Sequence, residues 1–141
     1  MLYNHIKSHK IEFLRQITDL FEYKIISDSN GVEYVVYKSS CIESKDLADV
    51  EDRTAFEALE NHVHLIDNIK KSDYGSIVEL GKVLGEVMLN NLKCNFPNKS
   101  FVVFVTLTDS FIIRFHQKWD NEPEYFTVDD DSTDLTLRFS K

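Results

Sequence analysis

The stretch from Phe101 to Trp119, FVVFVTLTDSFIIRFHQKW, decides how the chain is read. Two runs rich in Val, Ile and Phe stand on either side of a T-D-S turn, and these residue types fit a pleated, half-buried surface best. The stretch therefore predicts a β-hairpin at the centre of a sheet. Strand alternation sends Phe111, Ile113 and Phe115 to one face and Ile112, Arg114 and His116 to the other.

Upstream of this hairpin lies the clearest helical pattern. Ile77, Leu80, Leu84, Val87, Met88 and Asn91 recur at three- and four-residue spacing, Ser72 or Asp73 stands at the start as a cap, and Pro97 lies beyond the end. Gly81 and Gly85 lie one turn apart within it. Each costs about 1 kcal/mol relative to Ala in a helix interior, so the pair predicts close packing of this helix on the sheet.

Closer to the N-terminus, Leu2, Ile6, Phe13, Leu14, Ile17, Leu20 and Phe21 mark one face of an amphipathic helix. Two β-rich runs follow, Tyr23 to Ser27 and Val32 to Tyr37. The D-S-N-G between them carries Asn30-Gly31, a pair that suits the positive φ angles of a tight hairpin turn. Residues 38–53, KSSCIESKDLADVEDR, have no sustained period and read as a solvated connection. A connection this long calls for a role, either in binding or in crossing the surface.

From Thr54 onward, Phe56, Leu59, Val63 and Ile66 again suggest a helix face. The end of that segment, H-V-H-L-I, also alternates at period two and reads equally as a short strand. Beyond the central hairpin come D-N-E-P-E-Y-F, the acidic V-D-D-D-S-T-D, and L-T-L-R-F, a strand for the sheet edge. The expected fold is α+β: an antiparallel sheet of about five strands, made of two hairpins and a C-terminal strand, with about three helices mainly on one face.

Composition narrows the function classes. The chain has 141 residues, 43% of them hydrophobic, with ten Phe and six Tyr, which suits one globular domain over residues 1–141. No apolar run approaches the roughly 20 residues of a membrane span, and MLYNHIKSHKIEF lacks the apolar core of a secretory signal, so a cytoplasmic location is expected. Cys41 and Cys94 form no C-x-x-C pair and read as reduced structural thiols.

The net charge is −8 and uneven. Residues 41–75 carry four basic and nine acidic side chains, and residues 101–141 carry four and eight. Such a surface repels phosphate backbones, which disfavours direct nucleic-acid binding and favours a basic protein partner.

Three constellations follow. The first is a metal or acid-base site from His62, His64 and His116. On a strand, His62 and His64 share a face and can serve one ion; on a helix they lie about 200° apart and cannot. The second pairs His116 with Arg114 for proton transfer and anion stabilisation, with Glu122 and Glu124 nearby; an internal salt bridge of Arg114 to one of the many acids is the simpler expectation. No G-x-S-x-G, Gly-rich phosphate loop or H-E-x-x-H occurs, so an enzymatic role lacks a motif and no cofactor is called for.

The third constellation is a partner surface made by the two acidic stretches. Glu51 and Asp52 belong to the first. Trp119, Asp120, Glu122, Glu124, Tyr125, Asp129, Asp130 and Asp131 belong to the second, where aromatic side chains stand among acids as they do in tight interfaces.

The run of a helix followed by NHVHLID, a second helix ending in LKCNFPNKSF, and the sheet segment SFIIRFHQKWDNEPEYF resembles the small α+β bacterial proteins that act as immunity proteins beside polymorphic or contact-dependent toxins. The likeness spans roughly residues 55–126. It implies a non-enzymatic inhibitor of one toxin domain, often a basic nuclease. It carries over no site residues, because such proteins bind through variable surfaces. An immunity-type binding protein is thus the leading expectation, with a small enzyme centred on the three histidines, or a structural or oligomeric protein, as alternatives.

Overall fold

The computed structural model describes residues 12–126 and 135–141. A helix at residues 12–19 (α1) is followed by β1 (Tyr23–Ser27), β2 (Glu33–Tyr37), α2 (Arg53–Glu60), β3 (His62–Ile66), α3 (Tyr74–Asn95), β4 (Phe101–Leu107), β5 (Phe111–Gln117) and β6 (Leu135–Ser140). The fold is α+β with antiparallel strands, as expected. The expected sheet of about five strands is instead two sheets, β1-β2 and β3-β5-β4-β6. The additional strand is β3, the segment whose period is ambiguous in the sequence.

The central hairpin pairs in full register from Phe101 opposite Gln117 to Leu107 opposite Phe111. Its β4 strand is almost wholly buried because β6 covers its other edge from Val102 to Leu107. On one face, Val103, Val105, Phe111, Ile113 and Phe115 meet Ile77, Leu84, Met88, Leu89 and Leu92 of α3. Val87, expected on that buried face, is 47% exposed, because the helix seats itself on its glycines. A Cβ on Gly81 would lie 3.1 Å from Val105 Cγ1, and one on Gly85 would lie 2.2 Å from the Phe139 ring. Neither Ser72 nor Asp73 caps α3 with its side chain; a 3-10 turn at Lys71–Asp73 leads into the helix instead.

The hairpin β1-β2 is in place, but its turn is wider than the Asn30-Gly31 reading. Five residues link the strands, Gly31 alone among them has positive φ (78°), and Asp28 organises the link by accepting from the amides of Asn30 and Val32 and from the Tyr34 hydroxyl. Val35 and Tyr37 share the core of α3 and β5. Ile26, Tyr34 and Val36 face the other way, where Ile42, Leu47 and Val50 of the long connection cover them with Phe56 and Trp119. That covering explains the length of residues 38–53. The connection crosses the surface with its apolar residues turned inward and most of its acids outward.

Cys41 and Cys94 are free, and both are exposed. The part of the N-terminal amphipathic pattern before residue 12 lies outside the described residues; within them Ile17, Leu20 and Phe21 pack on the core. No described helix is long and apolar enough to cross a membrane.

Gly85→Ala is expected to destabilise the protein by about 1–3 kcal/mol, since crowding against Phe139 outweighs the gain of about 1 kcal/mol in helix propensity. Gly81→Ala should cost less. Chemical denaturation of both variants, and of Gly85→Ala combined with Phe139→Leu, checks this: the smaller side chain should recover most of the loss.

Candidate functional site

The buried stripe of α2 is polar. Thr54, Glu57, Ala58 and Asn61 face inward, while Leu59, expected on the core side, is 56% exposed. The helix begins at Asp52, whose side chain accepts from the Ala55 amide at 2.8 Å, and ends at Asn61. The chain then enters β3, which settles the ambiguous segment as strand. A bulge between His64 and Ile66 lets both Leu65 and Ile66 join the core.

Glu57 is fully buried and meets no cation among the described residues. Its Oε1 accepts from the Gln117 amide at 3.0 Å and from Trp119 Nε1 at 2.7 Å. Its Oε2 accepts from the Val35 amide and from Gln117 Nε2, both at 3.0 Å. Asn61 Nδ2 donates to the Val35 carbonyl at 2.8 Å, and Gln117 Nε2 also donates to the Glu33 carbonyl at 3.1 Å. The open edge of β2 and the end of β5 are therefore joined through side chains of α2. Four N–H groups occupy the four lone-pair positions of the carboxylate, which satisfies a buried charge that would otherwise be costly. Burial nevertheless pushes the Glu57 carboxyl up to about 7, against the pull of those donors.

This joint brings the two acidic stretches together. Glu122 of the second stretch accepts from the Thr54 amide at 2.8 Å, so it shares the N-terminus of α2 with Asp52 of the first. Both carboxylates also oppose the positive end of the helix dipole. Trp119 is half-buried, lies 5.5 Å from the Tyr34 ring, and carries the Arg53 guanidinium 5.4 Å above it. Glu51 and Asp120 are exposed and make no hydrogen bond or ion pair among the described residues. A shallow cleft of about 150 Å³ opens between Thr54, His116, Lys118, Trp119 and residues 122–124.

The other expected partner residues are placed differently. Glu124 forms a bidentate pair with Arg138, which holds its carboxyl below the ordinary range. Tyr125 is half-buried, with the Arg114 guanidinium 4.7 Å from its ring. Asp129, Asp130 and Asp131 lie outside the described residues. Trp119 is committed to Glu57 and Tyr34, so it supports the corner more than it offers an anchor. The expected salt bridge of Arg114 is absent among the described residues; this side chain stacks on Tyr125 and Phe126 and donates to the Ala58 carbonyl at 3.3 Å.

The three histidines do not form one site. His62 and His64 share the exposed face of β3, with ring centroids 5.7 Å apart. His116 is buried, its Nδ1–H donates to the Gln117 carbonyl at 2.7 Å, and its Nε2 accepts from the Tyr125 amide at 3.2 Å. Burial holds its pKa below the ordinary value. With both nitrogens engaged, His116 fastens residues 125–126 over the sheet and has no lone pair for a metal or a substrate. Among the described residues, no group of three or more His, Cys, Asp or Glu side chains is placed to hold a metal ion.

Replacing Glu57 by Ala takes the acceptor from three buried N–H groups and from the half-buried Trp119 indole, and is expected to cost at least about 3 kcal/mol. The pH dependence has a definite sign. Because the folded chain holds the Glu57 proton up to about 7, against an ordinary 4.5, its contribution to stability falls as pH rises through that window, on the order of 3 kcal/mol in all. Glu57→Gln cannot titrate, so the stability of wild type minus that of the variant should decrease from pH 5 to pH 8. His116, whose contribution grows with pH, is common to both proteins and cancels. Urea denaturation at the two pH values checks this, and a constant difference would show an unshifted carboxyl.

Compared with known protein families, curated proteins and solved structures, the chain matches none of them.

Proposed function

We propose that this chain is a non-enzymatic binding protein of the immunity type, which neutralises a basic toxin or effector domain through the acidic corner at the N-terminus of α2. The observation that carries this reading is the convergence of the two acidic stretches. Residues far apart in the chain, Glu51 and Asp120, are exposed on segments that meet at one helix end, where the Trp119 indole, tied to Glu57, supports them from below. Asp52 and Glu122 add charge there while holding the helix. A negative surface of this kind attracts a cationic partner and competes with nucleic acid for a basic active site.

The resemblance to immunity proteins points the same way. The histidine-centred enzyme loses support because His116 has both ring nitrogens engaged. A cytoplasmic setting fits an inhibitor that guards the cell's own nucleic acids.

The test is association with the product of the neighbouring gene, measured by stoichiometric pull-down and surface plasmon resonance. A one-to-one complex that weakens with added salt is expected. Glu51→Lys with Asp120→Lys should lower affinity at least tenfold, mainly by slowing association, and leave thermal unfolding unchanged. Binding that is indifferent to salt and to both substitutions would contradict the acidic corner.

A further inference from the structure

We propose that His62 and His64 form a chelating site for one late first-row divalent cation of the Zn²⁺ and Ni²⁺ class. Strand geometry puts the two imidazoles on one face, and their ring centroids are 5.7 Å apart. Two imidazoles on one ion, with metal-nitrogen bonds of about 2.0–2.1 Å, have ring centres roughly 4.5–5.5 Å apart. The observed spacing is close to that range, so rotation of the two exposed side chains, with the strand in place, brings both Nε2 atoms onto one ion.

The second observation concerns the other ring nitrogens. His62 Nδ1 lies 2.6 Å from the Leu59 carbonyl, and His64 Nδ1 lies 3.3 Å from Asp67 Oδ1. Each acceptor draws the proton to Nδ1, so both Nε2 atoms keep their lone pairs and have no partner among the described residues. A carbonyl or carboxylate behind each ligating imidazole is the arrangement that fixes ring orientation and raises basicity in metal sites.

Asp67 is itself held. Ser110 Oγ donates to it at 2.8 Å, and the neighbouring Ile69 amide donates to the Asp109 carbonyl at 2.7 Å. The carboxylate behind His64 is thus tied to the β4-β5 turn. Arg114 is the cation nearest in register, opposite His62, but its guanidinium is turned onto Tyr125 and Phe126. Water would fill the remaining coordination positions of the ion. Imidazole ligands suit Zn²⁺ and Ni²⁺ over Mg²⁺ or Ca²⁺, which prefer oxygen.

This site lies past the C-terminal end of α2, whereas the acidic corner lies at its N-terminus, about 12 Å away along eight residues. Its test needs no protein partner. Ni²⁺ is titrated calorimetrically into the full chain carrying H5Q and H9Q, which removes the two N-terminal histidines, and amide line broadening is followed by NMR. One Ni²⁺ per chain is expected, with broadening centred on residues 62–67. His62→Gln and His64→Gln should each lower affinity at least tenfold, and Asp67→Asn about tenfold through loss of the orienting carboxylate. All three positions are exposed, so far-UV circular dichroism should be unchanged. Affinity that either histidine variant leaves intact overturns the chelate, as does broadening centred elsewhere.

Discussion

The carboxylate of Glu57 is the constraint on which the arrangement of this protein depends. Two small sheets meet at a place where their strands do not hydrogen-bond to one another directly. The amide of Val35 on β2 and the amide of Gln117 at the end of β5 both reach the same side chain. A buried amide without an acceptor is costly, so the open edge of β2 and the end of β5, left facing each other without one, would push the sheets apart. One carboxylate with four acceptor positions resolves both, and takes the indole of Trp119 and the amide side chain of Gln117 as well. The burial cost of the charge is offset by donors from several segments, so the joint forms only when the whole fold is assembled.

From that joint the functional geography follows. Helix α2 is fixed by its inward polar stripe, which places its N-terminus beside the loop after β5. Glu122 and Asp52 then satisfy amides at the same helix end, and the two acidic stretches become one corner. At the other end of the helix the chain turns at Asn61 straight into β3, whose histidines project from the exposed face. His116 plays a different part, fastening the segment that carries Tyr125 and Phe126 over Arg114 and Phe104.

The central hairpin, the α3 helix and its two packing glycines are legible in the sequence because each combines a strong hydrophobic period with local turn or breaker residues. The length of the 38–53 connection is also an informative signal, since Ile42, Leu47 and Val50 cover an apolar face. The faces of helix α2 are not legible in the same way. Phe56 and Leu59 fit a helical period, but the buried side is Thr54, Glu57, Ala58 and Asn61, and a hydrophobic period cannot find a stripe that is buried because it is hydrogen-bonded. Glu57 leaves one local trace, an acid at helical spacing between Thr54 and Asn61. Its donors come from residues 35, 117 and 119, which only the tertiary fold brings together. The same limit applies to Arg114, whose partners are aromatic rings, and to His116, whose burial depends on a loop that crosses the sheet.

Native-state hydrogen exchange tests the role of Glu57 most directly, because the amides of Val35 and Gln117 end on its carboxylate. If Glu57 joins the sheets, both amides exchange as slowly as the central amides of β4 and β5, through opening of the whole fold. Rapid exchange of Val35 at the rate of a solvent-facing edge strand, with β4 still protected, would contradict that role.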